Sequence, residues 1–214
     1  GDGQPEIVLA DAGVMAVEAD GTVKWTVPGS DFSTGGAGAS LFDLDGDGKA
    51  EVLYTDEAQF RILRGTDGAQ LFTAALATGT TLDNPIVADV DGDGSAEVVV
   101  VSSRLGNDGI WVFGDAQGRW VGARKIWNQH SYHVTNVNDD GTIPAHEANS
   151  WQHGNSYRAQ AMVDGCAYTI PDLTASFVRV SDASGAWQIT ARIGNGGSGV
   201  APLGVPVTFY AGDP

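Results

Sequence analysis

The sequence predicts an all-β protein: a partial β-propeller of about three blades, each a four-stranded antiparallel sheet, followed by a further β-segment. The 30 glycines, and the short apolar runs that Gly, Asp and Asn divide, indicate many strands joined by tight turns. An acidic loop begins at Asp43 and again 46 residues later at Asp89. Hydrophobic residues make up 42% of the chain and charged residues 18%, which excludes a disordered chain.

The repeat extends beyond these two loops. The opening string GDGQPEIV returns as GDGKAEVL from Gly46 and as GDGSAEVV from Gly92. One further step leads to NVNDDGTIPAHE from Asn136, where VTNVNDDGT aligns with VADVDGDGS. A period near 45 residues with four short strands per unit is the size of a propeller blade, and a solenoid is the competing interpretation. Because the chain opens inside the motif, we expect it to be a piece of a larger modular protein.

The second copy of the repeat predicts four strands, joined by turns such as GTDGAQ. They are Ala39–Phe42, Glu51–Tyr54, Gln59–Arg64 and Gln70–Ala74. Alternating runs near the end of the chain predict three more antiparallel strands: Thr174–Val180, Trp187–Ile193 and Val205–Tyr210. The predicted organisation is therefore blades over residues 1–126, a junction over 127–170 and a second β-domain over 171–214.

The net charge of -16 excludes the basic patches that bind nucleic acid or anionic membranes. We also expect no membrane insertion, since the sequence has no apolar span of about 20 residues. Two dense acidic clusters instead predict bound cations. In each, oxygen groups recur at loop positions 1, 3, 5, 7 and 9 with glycine at 6, and hard oxygen ligands in a flexible loop favour calcium. The predicted ligands are Asp43, Asp45, Asp47, the Lys49 carbonyl and Glu51, and then Asp89, Asp91, Asp93, the Ser95 carbonyl and Glu97.

Two other copies of the loop are weaker. The last has lost the acid at position 9, where Pro144 stands, but has Glu147 at position 12. It is either a third, weaker calcium site or a degenerate loop without metal, and its candidate ligands are Asn136, Asn138, Asp140, Thr142 and Glu147. The opening copy keeps only Asp2, the Gln4 carbonyl and Glu6, half of a site.

All four histidines lie in the junction. His130, His133, His146 and His153 could bind a transition metal such as zinc, and Asp139 or Asp140 could act as a base for a metal-bound water. The alternative is a hydrogen-bonded plug that closes the last blade. The single cysteine, Cys166, is expected to be a buried small residue and not a nucleophile.

The acidic loops resemble the D-x-D-x-D-G-x-x-[DE] calcium loops of FG-GAP or VCBS repeats in integrin-like β-propellers, over roughly residues 1–145. That resemblance implies blades that close into a ring, seven in the family. The string IGNGGSGVAPLGVPVTFYAGDP resembles the first half of a bacterial cell-adhesion-related, immunoglobulin-like domain, which implies a partial Ig-like β-sandwich. Together the resemblances imply a secreted or cell-surface bacterial adhesion protein with calcium-rigidified blades and an unknown protein or glycan ligand.

Two further expectations follow. The alternative function is a metal-dependent hydrolase of esters or phosphate esters, which would use a loop calcium or the histidine cluster. Uncovered blade or strand edges also predict a homo-oligomer.

Overall fold

The computed structural model describes residues 6–32, 38–79, 83–104, 106–149, 156–163, 173–183, 186–195 and 207–209. Within these ranges the chain forms twelve β-strands and no helix, in agreement with the predicted all-β class. No helix in the described part of the chain could therefore span a membrane.

Three antiparallel sheets follow one another along the chain, and we call them the first, second and third blades. The first contains β1 (Glu6–Ala10), β2 (Gly13–Glu18) and β3 (Val23–Pro28). The second contains β4 (Ser40–Phe42), β5 (Glu51–Thr55), β6 (Phe60–Leu63) and β7 (Gln70–Ala74). The third contains β8 (Ile86–Ala88), β9 (Glu97–Ser102) and β10 (Gly109–Phe113). In every blade, strands that are consecutive in the chain are neighbours in the sheet.

The strands predicted in the second blade are confirmed, each end within one residue of the structure. The partial propeller is confirmed as an architecture, with four strands in the second blade and three among the described residues of the first and third. The repeat and its turn residues explain the agreement, since every residue of β5 and β6 is buried and these strands show no polar alternation.

The cores lie between adjacent blades. Val14, Ala16 and Trp25 of the first blade pack against Val52, Tyr54 and Leu63 of the second. The opposite face of the second blade, with Leu53, Phe60 and Ile62, packs against Val98 and Val100 of the third. The second blade thus packs one face against the first blade and the other against the third.

The chain from residue 120 to residue 163, which contains the described part of the predicted junction, is hydrogen-bonded to the blades without forming a sheet of its own among its described residues. Ala159 makes an isolated parallel bridge with Leu41 of β4, and Ala123 makes an antiparallel bridge with Met162. The Tyr132 ring is fully buried, stacks on Trp127 with centroids 4.3 Å apart, and its hydroxyl donates to Gln160.

Near the end of the chain, β11 (Leu173–Ala183) and β12 (Ala186–Asn195) form an antiparallel hairpin. These two predicted strands are confirmed, and each extends beyond its predicted ends by one to three residues. Of the third predicted strand, residues 207–209 are described and are not in a strand, while Val205 and Tyr210 lie outside the described residues.

Candidate metal centres

Two acidic loops occupy the same place in successive blades. Loop A (Asp43–Glu51) joins β4 to β5, and loop B (Asp89–Glu97) joins β8 to β9. Each loop starts with an aspartate directly after one strand and closes with a glutamate that begins the next. The sheet therefore fixes both ends of each loop.

Loop A is folded around the Asp43 carboxylate. Its Oδ1 accepts hydrogen bonds from the N–H groups of Gly46 (2.8 Å) and Asp47 (3.1 Å), and its Oδ2 accepts one from Gly48 N–H (2.7 Å). Gly46 and Gly48 have φ values of 75° and 83°, in the left-handed region that favours glycine. At the far end, Glu51 Oε2 accepts a hydrogen bond from Leu44 N–H at 2.9 Å. The glycines thus allow the chain to turn back over its own carboxylate.

Loop B repeats several of these contacts at the equivalent positions. Asp89 Oδ1 accepts from Gly92 N–H at 2.7 Å, and Glu97 Oε2 accepts from Val90 N–H at 2.9 Å. Asp91 Oδ1 accepts from Asp93 N–H at 3.1 Å, as Asp45 Oδ1 does from Asp47 N–H at 3.1 Å. Equal spacing in sequence has therefore produced similar turns and the same glutamate contact in two blades.

In each loop three carboxylates converge. One oxygen from each of Asp43, Asp45 and Glu51 lies within 4.8 Å of the others, and the same holds for Asp89, Asp91 and Glu97. The first and last acids of each trio are buried, whereas the middle one is exposed. Each cluster is therefore a cup with a buried floor and a solvent-facing rim.

The two remaining predicted carboxylates lie at the rim. Asp47 and Asp93 are exposed and accept hydrogen bonds from the N–H groups of Lys49 (2.8 Å) and Ser95 (2.7 Å). The Lys49 ammonium lies 3.5 Å from Asp47 Oδ2, while Ser95 is buried. Rim aspartates of this kind can turn toward a cation that the three closer carboxylates hold.

The electrostatics of both cups favour a cation. Burial, together with repulsion from the neighbouring aspartates, raises the pKa of Glu51 to about 7. The same causes raise the pKa of Glu97 to about 7. A divalent cation would remove the repulsion, and oxygen-only ligands on a loop suit calcium. The residues present therefore fit the predicted metal.

One element of this site was missed from the sequence. The backbone of Val121 lies between the two loops: its N–H donates to the Leu44 carbonyl and its carbonyl accepts from Ala96 N–H, both at 2.9 Å. Lys125 Nζ lies 3.7 Å from Asp89 Oδ2. This segment follows the third blade and carries no repeat motif, so no sequence signal marked it.

Loop C (Asn136–Glu147) is closed by different contacts. Asn138 Nδ2 donates to Thr142 Oγ1 at 2.9 Å, and Thr142 Oγ1 in turn donates to Asp140 Oδ1 at 2.6 Å. Asn136 Nδ2 donates to the Ser131 carbonyl at 2.9 Å. Glu147 accepts from Thr135 Oγ1 at 2.8 Å and contacts the His133 ring. The three central candidates thus lie together, whereas Asn136 and Glu147 bind residues that precede the loop.

The three described histidines have different neighbours. His130 Nε2 lies 3.2 Å from an Arg158 guanidinium nitrogen and 3.3 Å from Asn84 Nδ2, whereas His133 contacts Glu147. His146 lines an open cleft of about 440 Å³ beside Asp139, which is paired with Arg124 at 2.7 Å. Among the described residues, no histidine belongs to a group that could hold a metal; His153 and Cys166 lie outside them.

Arg124 connects loop C to the rest of the junction. Besides Asp139, it donates to the carbonyls of Val134 (2.9 Å) and Val137 (2.8 Å) and to the Tyr132 hydroxyl (3.0 Å). Such a network is what a hydrogen-bonded plug requires.

Comparison with known proteins agrees with the blade geometry. Residues 43–100, which include loops A and B, match the family model of an FG-GAP-like repeat. The chain is also similar to the crystal structure of the Vibrio cholerae biofilm matrix protein Bap1, with 32% sequence identity and a TM-score of 0.67. The match covers 74% of this chain and 28% of that chain, so the present chain spans less than a third of that protein. A comparison with curated proteins found no match.

Proposed function

Because residues 43–100 form an FG-GAP-like repeat, we propose that the chain is a calcium-stiffened blade segment of an extracellular bacterial adhesion protein. The observation that carries the calcium part is the convergence of three carboxylates in each of loops A and B. The adhesive part is supported by the similarity to a biofilm matrix protein, since a biofilm matrix lies outside the cell. The natural ligand would be a matrix glycan or protein.

Calcium would act on the connection between strands. In each loop the cation would bridge an aspartate that follows one strand to a glutamate that begins the next, so binding would fix the inner hairpin of a blade. Only the folded chain brings these carboxylates together, so binding stabilises the fold. At a free calcium concentration 100 times the dissociation constant, each site contributes about 2.7 kcal/mol to the free energy of unfolding.

The hydrolase alternative receives no support from the contacts of the described residues. His130 faces a guanidinium and an amide, and His133 faces a carboxylate. A metal-dependent hydrolase that used the histidines would need several of them to converge on one ion, and no histidine among the described residues belongs to such a group.

The calcium part is tested by calorimetric titration of metal-free protein. Two calcium ions should bind per chain, and magnesium should bind much more weakly. Asp45→Asn and Asp91→Asn each remove one charge from a single loop and should each abolish or weaken one of the two sites. Asp108→Asn makes the same change at an exposed aspartate outside the loops and should leave both sites intact. Equal binding by all three variants would refute the proposed ligands.

The adhesive part is tested separately. Fluorescently labelled chain is added to a V. cholerae biofilm in calcium-containing buffer, and its retention after washing is measured. Retention should be lost in the Asp45→Asn/Asp91→Asn double variant and kept in Asp108→Asn. If wild-type chain binds calcium but washes out like an unrelated acidic protein, the adhesive role is wrong and the calcium sites stand.

A further inference from the structure

Arg158 is a buried arginine that has no acidic partner among the described residues. Nine lysines and arginines lie between residues 6 and 163, and eight of them have a carboxylate oxygen within 3.7 Å. These eight are Lys24, Lys49, Arg61, Arg64, Arg104, Arg119, Arg124 and Lys125. Arg158 is 9% exposed. Because removing a charge from water is costly, buried charges are normally paired. The burial of Arg158 therefore calls for an anion that the described residues do not supply.

The guanidinium of Arg158 is held by neutral groups instead. Its Nη1 donates to Asn84 Oδ1 at 3.1 Å, and its Nη2 donates to His130 Nε2 at 3.2 Å. Arginine has no acceptor atom, so the His130 nitrogen is the acceptor in this contact. The Arg158 Nε atom is buried and has no hydrogen-bond partner. At least one N–H of a buried cation is thus left for an anion.

The site lies between the second and third blades, at the end of their inner strands away from the calcium loops. Gly38 stands two residues before β4 and Asn84 two residues before β8, whereas loops A and B follow these strands. The Arg158 carbonyl accepts from Leu41 N–H of β4 at 2.9 Å. The guanidinium packs on Gly38, where a Cβ would lie 1.2 Å from Nη1, and Gly38 N–H donates to Asn84 Oδ1 at 2.6 Å. Backbone and side-chain contacts from two blades therefore fix the cation in place.

Exposed side chains lie beside the buried cation. His130 is exposed, and Tyr157 is 55% exposed with its ring centroid 5.6 Å from the guanidinium carbon. An anion can approach from the side of these two residues. It would meet the Arg158 charge where solvent is largely excluded, and there the attraction between opposite charges is stronger than in bulk water.

We propose that Arg158 forms the floor of a carboxylate-binding site, which takes one carboxylate of an acidic sugar. The planar guanidinium matches a carboxylate in geometry as well as in charge. Because the chain has a net charge of -16, a singly charged group is favoured over the more highly charged phosphate. The exposed Tyr157 ring offers an apolar surface on which a sugar ring can pack. The sugar part rests on the proposed adhesive function, whereas the carboxylate part does not.

The test is NMR titration of the complete chain with sodium glucuronate, at fixed ionic strength and saturating calcium. The Arg158 Nε–H signal, assigned by its absence from Arg158→Lys, should move downfield and saturate as the carboxylate accepts its hydrogen bond. This signal reports on the Arg158 site and not on the calcium loops. Glucose, which lacks the carboxylate, and inorganic phosphate should each bind at least about tenfold more weakly than glucuronate.

Three variants are compared through the backbone N–H signals of Gly38 and Asn84. Arg158→Lys keeps the positive charge but removes the planar fork, and should weaken glucuronate binding about tenfold. Tyr157→Ala, at an exposed residue, should weaken glucuronate binding about fivefold and leave acetate binding unchanged, because acetate has no sugar ring. Arg64→Lys makes the first change at an exposed arginine paired with Asp67 and should leave binding unchanged. Thermal melting confirms that each variant remains folded.

Three results would overturn the carboxylate site: no saturable shift with glucuronate, tighter binding of phosphate than of glucuronate, or equal glucuronate binding by wild type and Arg158→Lys. N-acetylaspartate amide carries the carboxylate of a protein side chain. If it binds more tightly than glucuronate, the natural occupant is a protein carboxylate and the sugar part is wrong. Calcium titration and biofilm retention judge the proposed function independently, so glucuronate binding can fail while that function stands.

Discussion

Loop A and loop C have similar spacings of oxygen-bearing side chains, but their closing glutamates lie in different places. Glu51 is the first residue of β5, is 5% exposed and binds a backbone N–H of its own loop. Glu147 lies outside the described strands, is exposed and contacts His133 and Thr135. The sheet holds the first glutamate beneath the aspartates, whereas side chains of the junction hold the second away. The two loops thus differ both in the position of the closing acid and in the strand that follows loop A.

The sharpest test of this comparison exchanges each closing glutamate for its neutral isostere. Glu51→Gln and Glu97→Gln should each lower the calcium affinity of one loop about 100-fold, or about 2.8 kcal/mol. Each removes one of three convergent charges while an amide oxygen still accepts the loop N–H. Glu147→Gln should leave the affinities of loops A and B unchanged. Calcium titration with each single variant measures the difference, and a comparable loss at loop A or B from Glu147→Gln would invalidate the comparison.

The pH dependence of stability should have opposite sign in the two kinds of loop. The folded pKa of Glu51 and Glu97 rises from 4.5 to about 7, so without metal the folded chain holds more protons than the unfolded chain between these values. The free energy of unfolding therefore falls as pH rises through this window. Hydrogen bonding lowers the pKa of Glu147, so its contribution is present above its ordinary pKa and is lost as pH falls.

Melting temperatures measured between pH 5 and pH 8 test this dependence. In metal-free buffer the melting temperature should decline by several degrees over the interval, and saturating calcium should remove the decline because the bound cation keeps both glutamates ionised. Glu51→Gln/Glu97→Gln should flatten the metal-free curve. A metal-free melting temperature that rises over this interval would show that other groups dominate.

The smallest expected effect separates loop A from loop B. Lys125 Nζ lies 3.7 Å from Asp89 Oδ2, and its charge opposes a cation in loop B. Since Lys125 is largely exposed, Lys125→Gln should raise the affinity of loop B about twofold, or roughly 0.4 kcal/mol, at low ionic strength. The gain should vanish in 0.5 M salt, because salt screens exposed charges and shortens the screening length from about 10 Å at 0.1 M to about 3 Å at 1 M. An equal gain in calcium affinity at loop A would mean that the change in the net charge of the whole chain, and not the position of Lys125 beside loop B, causes the effect.

Structure that depends on residues close together in the chain was predicted correctly, whereas structure that depends on residues far apart in the chain was not. Strands and loops of the second blade were predictable because turn residues and the Asp–Gly spacing act within about ten residues. The junction was not, because its position depends on distant contacts, such as that of Ala159 with Leu41. The same limit applies to loop C: its spacing left two interpretations open, and the partner of Glu147 is a histidine outside the loop. The predicted boundaries of the three domains remain predictions.

The position of Val121 between loops A and B has a consequence for how the protein would respond to calcium. Val121 donates to the Leu44 carbonyl of loop A and accepts from the Ala96 N–H of loop B. An ion that orders one loop therefore also orders the Val121 backbone, to which the other loop is hydrogen-bonded. The second ion would then meet a smaller loss of conformational entropy than the first. Calcium uptake should accordingly be cooperative, with a Hill coefficient above one. The blades would stiffen over a narrow range of calcium concentration, as a threshold and not as a gradual adjustment.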